Sequence, residues 1–333
     1  MMQKGRGKLI YFLRFSVGIV IIVLLFKMVD IEDLPRLSQL NFGFIAAASL
    51  LVVLDRFLNA YRWSILIYSK ELRVDLSEIV KIYFKSIFLG LVLPSSIGGE
   101  FLKGYGLLKA TSKGIDSFSS VFAERILGHI ALISICTASF FFFVDVSECV
   151  PEVLVIRNLS IAILVSTFLI LSVGYWFFSL SSRSTWEEKG RILLLIQRAL
   201  VSFFEFGKDK GKLVLAFAVS FLIQFVRILL TWLLGLSLGI KADFSSYLVF
   251  VPLAQFGGMI PLSIAGLGIE EGALVYFFSL VGATSARILS MGILSRILNI
   301  CSVLPGGWLF LREGIGLKAK RNDQKGISPE VST

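Results

Sequence analysis

LPSSIGGE, residues 93–100, and IPLSIAG, residues 260–266, each stand at the end of an apolar run. Pro ends a helix because it lacks an N–H and clashes with the preceding turn, and Gly lets the backbone turn tightly. Irregular backbone at membrane depth is tolerated only where protein or a water-filled cavity covers it. Both stretches contain the motif Pro-x-Ser-Ile-x-Gly. Two interruptions by the same motif predict two broken membrane segments in one chain.

The composition is that of an integral membrane protein. The chain has 333 residues, of which 56% are hydrophobic and 17% charged, and its mean hydropathy is +0.84. Several apolar runs reach the roughly 18–20 residues that a helix needs to cross a bilayer. The 3 Cys and the single His are too few and too scattered for a disulfide framework or a metal site, so we expect no metal and no cofactor. The net charge of +10 fits the Lys and Arg of cytoplasmic loops better than nucleic-acid binding.

The positions of the basic residues distinguish between two membrane topologies. Apolar runs lie near residues 9–26, 42–67, 76–93, 116–143, 155–180, 212–239, 244–260 and 285–311, with shorter apolar segments at 97–110 and 266–282. If the long runs made eight crossings, the bases near Lys109 and Lys189 would lie outside. If 76–110 and 244–282 instead form hairpins that enter and leave on one face, every strongly basic loop is cytoplasmic. We therefore predict an all-α, polytopic protein of the cytoplasmic membrane, with about six full transmembrane helices, two re-entrant hairpins and cytoplasmic termini.

The two halves of the chain repeat the same order of features. In each half an apolar segment with an Arg precedes the Pro-x-Ser-Ile-x-Gly motif. The tripeptide Arg-Ile-Leu follows the motif, at 125–127 in the first half and at 296–298 in the second. Hairpins that enter from opposite faces make the halves an inverted repeat, an architecture of transporters whose broken helices lie at the binding site. We assign one transmembrane domain to residues 1–311, repeats to about 42–143 and 212–311, and a disordered, basic cytoplasmic tail to 312–333.

Charged and small residues near the two Pro-x-Ser-Ile-x-Gly motifs form the predicted substrate site. A half-helix that begins inside the bilayer points free N–H groups and a partial positive charge at its surroundings. Charged side chains inside a membrane face a cavity or a partner. The arginines would balance a phosphate, and the carboxylates would take cationic or hydroxyl groups; no catalytic residue is predicted. The predicted substrate-binding residues are Arg56, Ser96, Gly99, Glu100, Arg125, Arg227, Ser263, Gly266, Gly268, Glu270, Glu271 and Arg296.

The most distinctive stretches of the sequence contain the two Pro-x-Ser-Ile-x-Gly motifs or follow them. They read LPSSIGGEFLKGYGLLKATSKG at 93–114, PLSIAGLGIEEGALVYFFSLVG at 261–282 and SRILNICSVLPGGWLFL at 295–311. These stretches resemble the transmembrane region of lysylphosphatidylglycerol synthases. The resemblance covers residues 10–311 and implies a standalone, flippase-like member without the soluble synthase domain. Because Glu271 matches the Glu of the family, we expect Glu271 to face the central cavity and Glu270 to meet a neighbouring helix or the interface.

These features predict a lipid translocator that moves a phospholipid or a lipid-linked headgroup between leaflets. Two alternatives stay open. One is a membrane-embedded transferase that acts on a lipid-linked substrate with Glu100 or Glu271 as general base. The other is a non-catalytic membrane partner of a glycosyltransferase. We favour a transporter over an enzyme, with a membrane lipid as substrate, a glycosyltransferase or lipid-modifying enzyme as candidate partner, and no nucleic acid.

Overall fold

The computed structural model describes residues 40–92, 98–143, 151–181, 191–258 and 268–313. Within these ranges the chain forms ten α-helices and no strand, which confirms the all-α prediction. A short 3-10 turn, Glu205–Lys208, follows the sixth helix. In chain order the helices are α1 (Phe42–Ser69), α2 (Leu76–Val92), α3 (Gly98–Thr111), α4 (Gly114–Phe143), α5 (Pro151–Ser181), α6 (Arg191–Phe204), α7 (Lys210–Ser237), α8 (Phe244–Gly258), α9 (Ile269–Ser279) and α10 (Ser285–Glu313).

Among the described helices, five are long and apolar enough to cross a membrane, namely α1, α4, α5, α7 and α10. In the most apolar window of α5 only 6% of the residues are buried, against 44% in α7, so α5 lies at the periphery and α7 inside the bundle. The predicted first helix near residues 9–26 lies outside the described residues, as does the chain beyond residue 313. Helix α10 runs on to Glu313, into the segment that the sequence assigns to the tail.

One end of the bundle is marked by Lys70, which follows α1. Its ammonium lies 3.1 Å from a carboxylate oxygen of Glu205 and 3.8 Å from one of Asp116, so the end of α1, the 3-10 turn and the start of α4 meet there. The hydrogen bond from Lys208, together with that from Lys70, holds the pKa of Glu205 below its ordinary value. We call this the Lys70 end.

Helices α2 and α3 form a hairpin that enters and leaves at the Lys70 end. The Tyr68 hydroxyl donates to the carbonyl of Val74 just before α2, and the Thr111 hydroxyl at the end of α3 lies 3.3 Å from that of Ser117 in α4. The two helices are antiparallel, because Gly90 lies against Gly99 and Ile82 against Gly106. They have 17 and 14 residues, against 28 in α1.

Helices α8 and α9 form the matching hairpin at the opposite end, which we call the Asn41 end. The guanidinium of Arg287, at the start of α10, donates to the carbonyl of Gly239 after α7, at 2.8 Å. The rings of Tyr247 and Phe278 pack 4.6 Å apart near the open end of the hairpin. Gly258 and Glu270 face each other at its tip. The two hairpins therefore enter the bundle from opposite ends, as the charge pattern predicts.

The two halves are related as an inverted repeat. Helices α1 and α7, which open the halves, are antiparallel: the Asn41 amide donates to the Ser237 carbonyl at one end and Lys212 Nζ to the Tyr68 carbonyl at the other. Helix α2 packs on α10 and α4 on α8, so exchanging the halves converts one contact into the other. A two-fold axis that exchanges antiparallel spanning helices lies in the membrane plane. The single-domain assignment and the repeat bounds stay predictions.

Candidate substrate site

Two cavities lie at the tips of the two hairpins. The α8–α9 cavity has a volume of about 350 Å³ and is also lined by α1, α7 and α10. The α2–α3 cavity has a volume of about 420 Å³ and is also lined by α1, α4 and α7. Arg56 of α1 and Arg227 of α7 line both cavities. The two arginines that the sequence places in equivalent positions of the halves thus form the wall that the cavities share.

A single carboxylate holds this shared wall together. Arg227 Nε donates to Asp55 Oδ1 at 2.7 Å, and Arg56 Nη1 lies 3.4 Å from Asp55 Oδ2. Arg56 also donates to Asn299 Oδ1 at 2.5 Å and to Ser302 Oγ at 3.0 Å, which ties α1 to α10. The Asp55 side chain is only 5% exposed, and burial of a carboxylate is tolerated when it is paired in this way. The sequence prediction missed Asp55, Asn299 and Ser302.

Each hairpin is joined to the last helix of its half by an equivalent ion pair. Glu100, in the first turn of α3, accepts from Arg125 of α4 at 2.5 Å. Glu271, in the first turn of α9, accepts from Arg296 Nε of α10 at 2.7 Å. In both pairs the partners are 25 residues apart in the chain. The structure therefore brings together acidic and basic residues of the predicted site. They form equivalent pairs in the two halves, Glu100 with Arg125 and Glu271 with Arg296.

The adjacent carboxylates of α9 have different roles. Glu271 Oε2 also accepts from the backbone N–H of Gly268, at 2.8 Å, and so closes the first turn of the helix. Gly268 has a φ of 81°, in the left-handed region that favours glycine. Glu270 lies 3.7 Å from Arg296 Nη2, and its side chain is 37% exposed against 7% for Glu271. Both residues line the α8–α9 cavity, so the expectation for Glu271 is met. Glu270, which is expected to meet a neighbouring helix or the interface, contacts α10 through Arg296 and lines the cavity as well.

A buried ionic cluster forms part of the wall of the α2–α3 cavity. Glu124 of α4 accepts from Lys103 of α3 and, at 3.1 Å, from Arg62 of α1. The Lys103 ammonium also lies 5.1 Å from the ring centre of Trp63 and 4.9 Å from that of Tyr83. These three charged side chains are each no more than 10% exposed. The sequence prediction did not include the cluster, although three charges within apolar runs are a signal for it.

The remaining predicted residues divide into two groups. Gly99 lines the α2–α3 cavity, where a Cβ would lie 3.0 Å from the carbonyl oxygen of Ser86, so glycine permits the close approach of α3 to α2. Ser96, Ser263 and Gly266 lie outside the described residues. Among the residues that the structure does describe, no three His, Cys, Asp or Glu side chains are grouped so that they could hold a metal ion.

These features define a polytopic, all-α membrane protein, an inverted repeat with broken helices around a buried ionic centre. The chain belongs to the lysylphosphatidylglycerol synthase TM region family, whose model matches residues 11–307. It is 26% identical over 325 residues to the UPF0104 membrane protein PH1989 of Pyrococcus horikoshii, covering 90% of this chain and 96% of that protein. It is 23% identical over 297 residues to a UPF0104 membrane protein of Methanothermobacter thermautotrophicus, covering 84% and 87%. No solved structure matches the chain.

Proposed function

We propose that this protein moves the polar headgroup of a lipid between the two leaflets of the membrane. The observation that carries the proposal is the wall formed by Arg56 and Arg227, which belongs to both cavities. Each cavity lies at the tip of a hairpin, and the hairpins enter from opposite ends of the bundle. A headgroup bound at these arginines is therefore within reach of an approach from either face. The family, named for the synthases of a lipid, supports a lipid as the substrate.

The physical task of such a protein is to lower the cost of placing charge inside the bilayer. A charged group at the membrane centre costs about 2.5–3.5 kcal/mol on translocon insertion scales and more in simulations. Arginine lowers this cost for a phosphate because its planar guanidinium can donate two parallel hydrogen bonds to the oxygens. Cavities of about 350 and 420 Å³ hold a headgroup, while acyl chains stay in the lipid beside the bundle.

Movement between the two cavities needs contacts that can be exchanged. The Glu100–Arg125 pair is suited to this, because both side chains are 34% exposed and a phosphate would compete with the carboxylate for the guanidinium. Arg227 is 32% exposed and is held by one carboxylate, which leaves donors of its guanidinium for a ligand. An inverted repeat provides two states of similar energy, because each half can adopt the conformation of the other.

We assign the Lys70 end to the cytoplasm. Basic residues are enriched on the cytoplasmic side of membrane proteins. Within the described ranges the Asn41 end carries Arg157, Lys241 and Arg287. The Lys70 end carries Lys70, Arg73, Lys109, Lys113, Lys208, Lys210 and Lys212. Both termini would then be cytoplasmic, in a protein of the cytoplasmic membrane.

The geometry gives less support to a transferase. A general base needs a carboxylate that is available to take up a proton. Glu100 is paired with Arg125, and Glu271 is engaged by both Arg296 and the Gly268 amide. A non-catalytic partner of a glycosyltransferase would not move lipid by itself, so the purified protein separates that alternative from a translocator.

The test is lipid movement in vesicles that contain the purified protein alone. Fluorescent phospholipids are reconstituted in both leaflets, and dithionite added outside quenches those that reach the outer leaflet. We expect the wild-type protein to expose the inner pool and Arg56→Gln to leave it protected. Arg287→Gln, which changes the same residue type at the Asn41 end, is the control and should keep the activity. Protection of the inner pool by the wild-type protein, for each headgroup tried, would contradict the proposal.

A further inference from the structure

The two cavities differ in their balance of charge. Among the described residues that line the α8–α9 cavity, three carboxylates face three guanidiniums, so the charges cancel. The α2–α3 cavity carries two carboxylates, Glu100 and Glu124. Its cationic side chains are Arg56, Arg62, Lys103, Arg125 and Arg227. Two cavities of one inverted repeat therefore have different electrostatic preferences.

The positive excess of the α2–α3 cavity survives when the groups behind its wall are counted. Asp55, which contacts Arg56 and Arg227 from the other side, reduces the described excess from three charges to two. Over the described lining of both cavities together, six cationic side chains face five carboxylates, so an excess of one positive charge remains. The loop between the two hairpin helices, Leu-Pro-Ser-Ser-Ile at 93–97, contains no charged residue. Since a buried charge without a counter-charge is costly, this positive cavity favours an anionic ligand, and a doubly charged anion over a singly charged one.

Two buried polar atoms of this cavity also point to a ligand. Arg62 Nε and Gln224 Oε1 have no hydrogen-bond partner within the part of the chain that the structure describes. Arg62 is 6% exposed and Gln224 is 2% exposed, and both line the α2–α3 cavity. Buried polar atoms are rarely left unpaired. One of the two is a donor and the other an acceptor, and both atoms are themselves covered. A small shift of the side chains would let a phosphate oxygen accept from Arg62 Nε and a hydroxyl or bound water donate to Gln224 Oε1.

Apolar side chains complete the lining and favour a lipid over a soluble phosphate. Ile87 and Leu91 of α2 and Val121 of α4 line the same cavity as the cationic side chains. Leu91 is 50% exposed at the tip of the hairpin. A cavity with a cationic part beside an apolar part matches a phosphate that is attached to a hydrocarbon chain.

We infer that the α2–α3 cavity binds a lipid whose headgroup is a terminal phosphomonoester, with two negative charges, in preference to zwitterionic or singly charged phosphodiester lipids. The inference rests on the proposed function and names the substrate class of the same site. A phosphodiester supplies only one negative charge to this positive cavity. A terminal phosphate supplies two charges and three acceptor oxygens.

Binding to the purified protein in detergent tests the headgroup preference. Phosphatidic acid, phosphatidylglycerol and phosphatidylcholine with identical acyl chains are compared at about pH 8, where a phosphomonoester carries nearly two charges because its second pKa is near 6. We expect phosphatidic acid to bind about tenfold or more tighter than phosphatidylglycerol, and phosphatidylcholine to bind weakest. Equal affinities would overturn the inference. Glycerol 3-phosphate binding as tightly as phosphatidic acid would assign the site to a soluble phosphate and would contradict a lipid ligand.

Three variants locate the preference in this cavity. Gln224→Glu adds one negative charge to the α2–α3 cavity, and Gln224→Leu removes the same amide without adding charge. Gln255→Glu adds the same charge to the α8–α9 cavity, which Gln255 lines. We expect phosphatidic acid to bind Gln224→Glu about tenfold or more weaker than Gln224→Leu, and Gln255→Glu to have a smaller effect. Equal losses in Gln224→Glu and Gln255→Glu would place the phosphate elsewhere.

The vesicle assay separates the inference from the function on which it rests. If phosphatidylcholine and phosphatidic acid move at the same rate, the headgroup inference fails and the translocator stands. If phosphatidic acid binds with the expected preference but no lipid moves, the translocator fails and the binding site stands.

Discussion

Replacement of Glu271 by Gln tests whether this carboxylate is mainly a structural group. In the structure it accepts two hydrogen bonds, from Arg296 Nε at 2.7 Å and from the Gly268 amide at 2.8 Å, and its side chain is 7% exposed. Gln offers one acceptor oxygen, so one of these bonds is lost, and the charge is removed as well. A hydrogen bond to a charged group contributes about 1.5–3 kcal/mol, and a carboxylate in the first turn of a helix about 0.3–1 kcal/mol. We therefore expect a loss of about 2–4 kcal/mol in the free energy of unfolding.

Glu270→Gln is the matched control one residue away. Its carboxylate is 37% exposed to the cavity and lies 3.7 Å from Arg296, beyond hydrogen-bond distance, so this pair contributes about 0–1 kcal/mol. Unfolding by SDS in mixed micelles, followed by tryptophan fluorescence, compares the two variants. We expect Glu270→Gln to remain nearly as stable as the wild type but to lower lipid translocation, because its carboxylate is the more exposed one in the cavity. Equal loss of stability in the two variants would refute the reasoning.

Three further predictions concern other parts of the bundle. Glu124→Gln leaves the buried cations around it without a full charge partner, and we expect the same SDS titration to show a loss of about 3–5 kcal/mol; a loss below about 1 kcal/mol would contradict a buried ionic cluster. Gly306→Ala places a Cβ 2.1 Å from the backbone oxygen of Phe84. It should cost about 1–3 kcal/mol, whereas Gly207→Ala, where a Cβ meets nothing within 4 Å, should be nearly neutral. Lys109→Cys and Lys241→Cys should react with an impermeant maleimide from opposite sides of the membrane; reaction from the same side would remove the opposed hairpins.

The hairpins and the central arginines could be predicted from the sequence because Pro, Gly and charged residues are unfavourable inside an apolar membrane segment. Pro and Gly within an apolar run break a helix wherever they occur, and charge within such a run needs a partner. Arg56 and Arg227 stand out because each is a charged residue within an apolar helix. The same order of motifs also follows each of them in the chain. Their contact with both cavities follows from the antiparallel packing of α1 and α7, which the inverted repeat requires.

The partners of these arginines could not be predicted in the same way. Asp55 is adjacent to Arg56, and consecutive residues of a helix point about 100° apart, so the sequence suggests divergence rather than a shared centre. Asp55 meets Arg227 because of the register between α1 and α7, which the packing of the whole bundle sets. The same holds for Glu124, whose partners lie on two other helices. Local pattern identifies charged residues inside the membrane, and tertiary packing decides which of them are paired.

Access to the α8–α9 cavity from each face of the membrane tests the central claim most directly. Ser295 lines this cavity beside Arg296 and is partly buried. Ser295→Cys, in a protein whose Cys136, Cys149 and Cys301 are replaced by Ser, is treated with an impermeant thiol reagent in right-side-out and in inside-out vesicles. A translocator whose two halves alternate predicts reaction from both faces, slowed in each case by added substrate lipid. Reaction from one face only, with or without lipid, would contradict a site that opens to both leaflets.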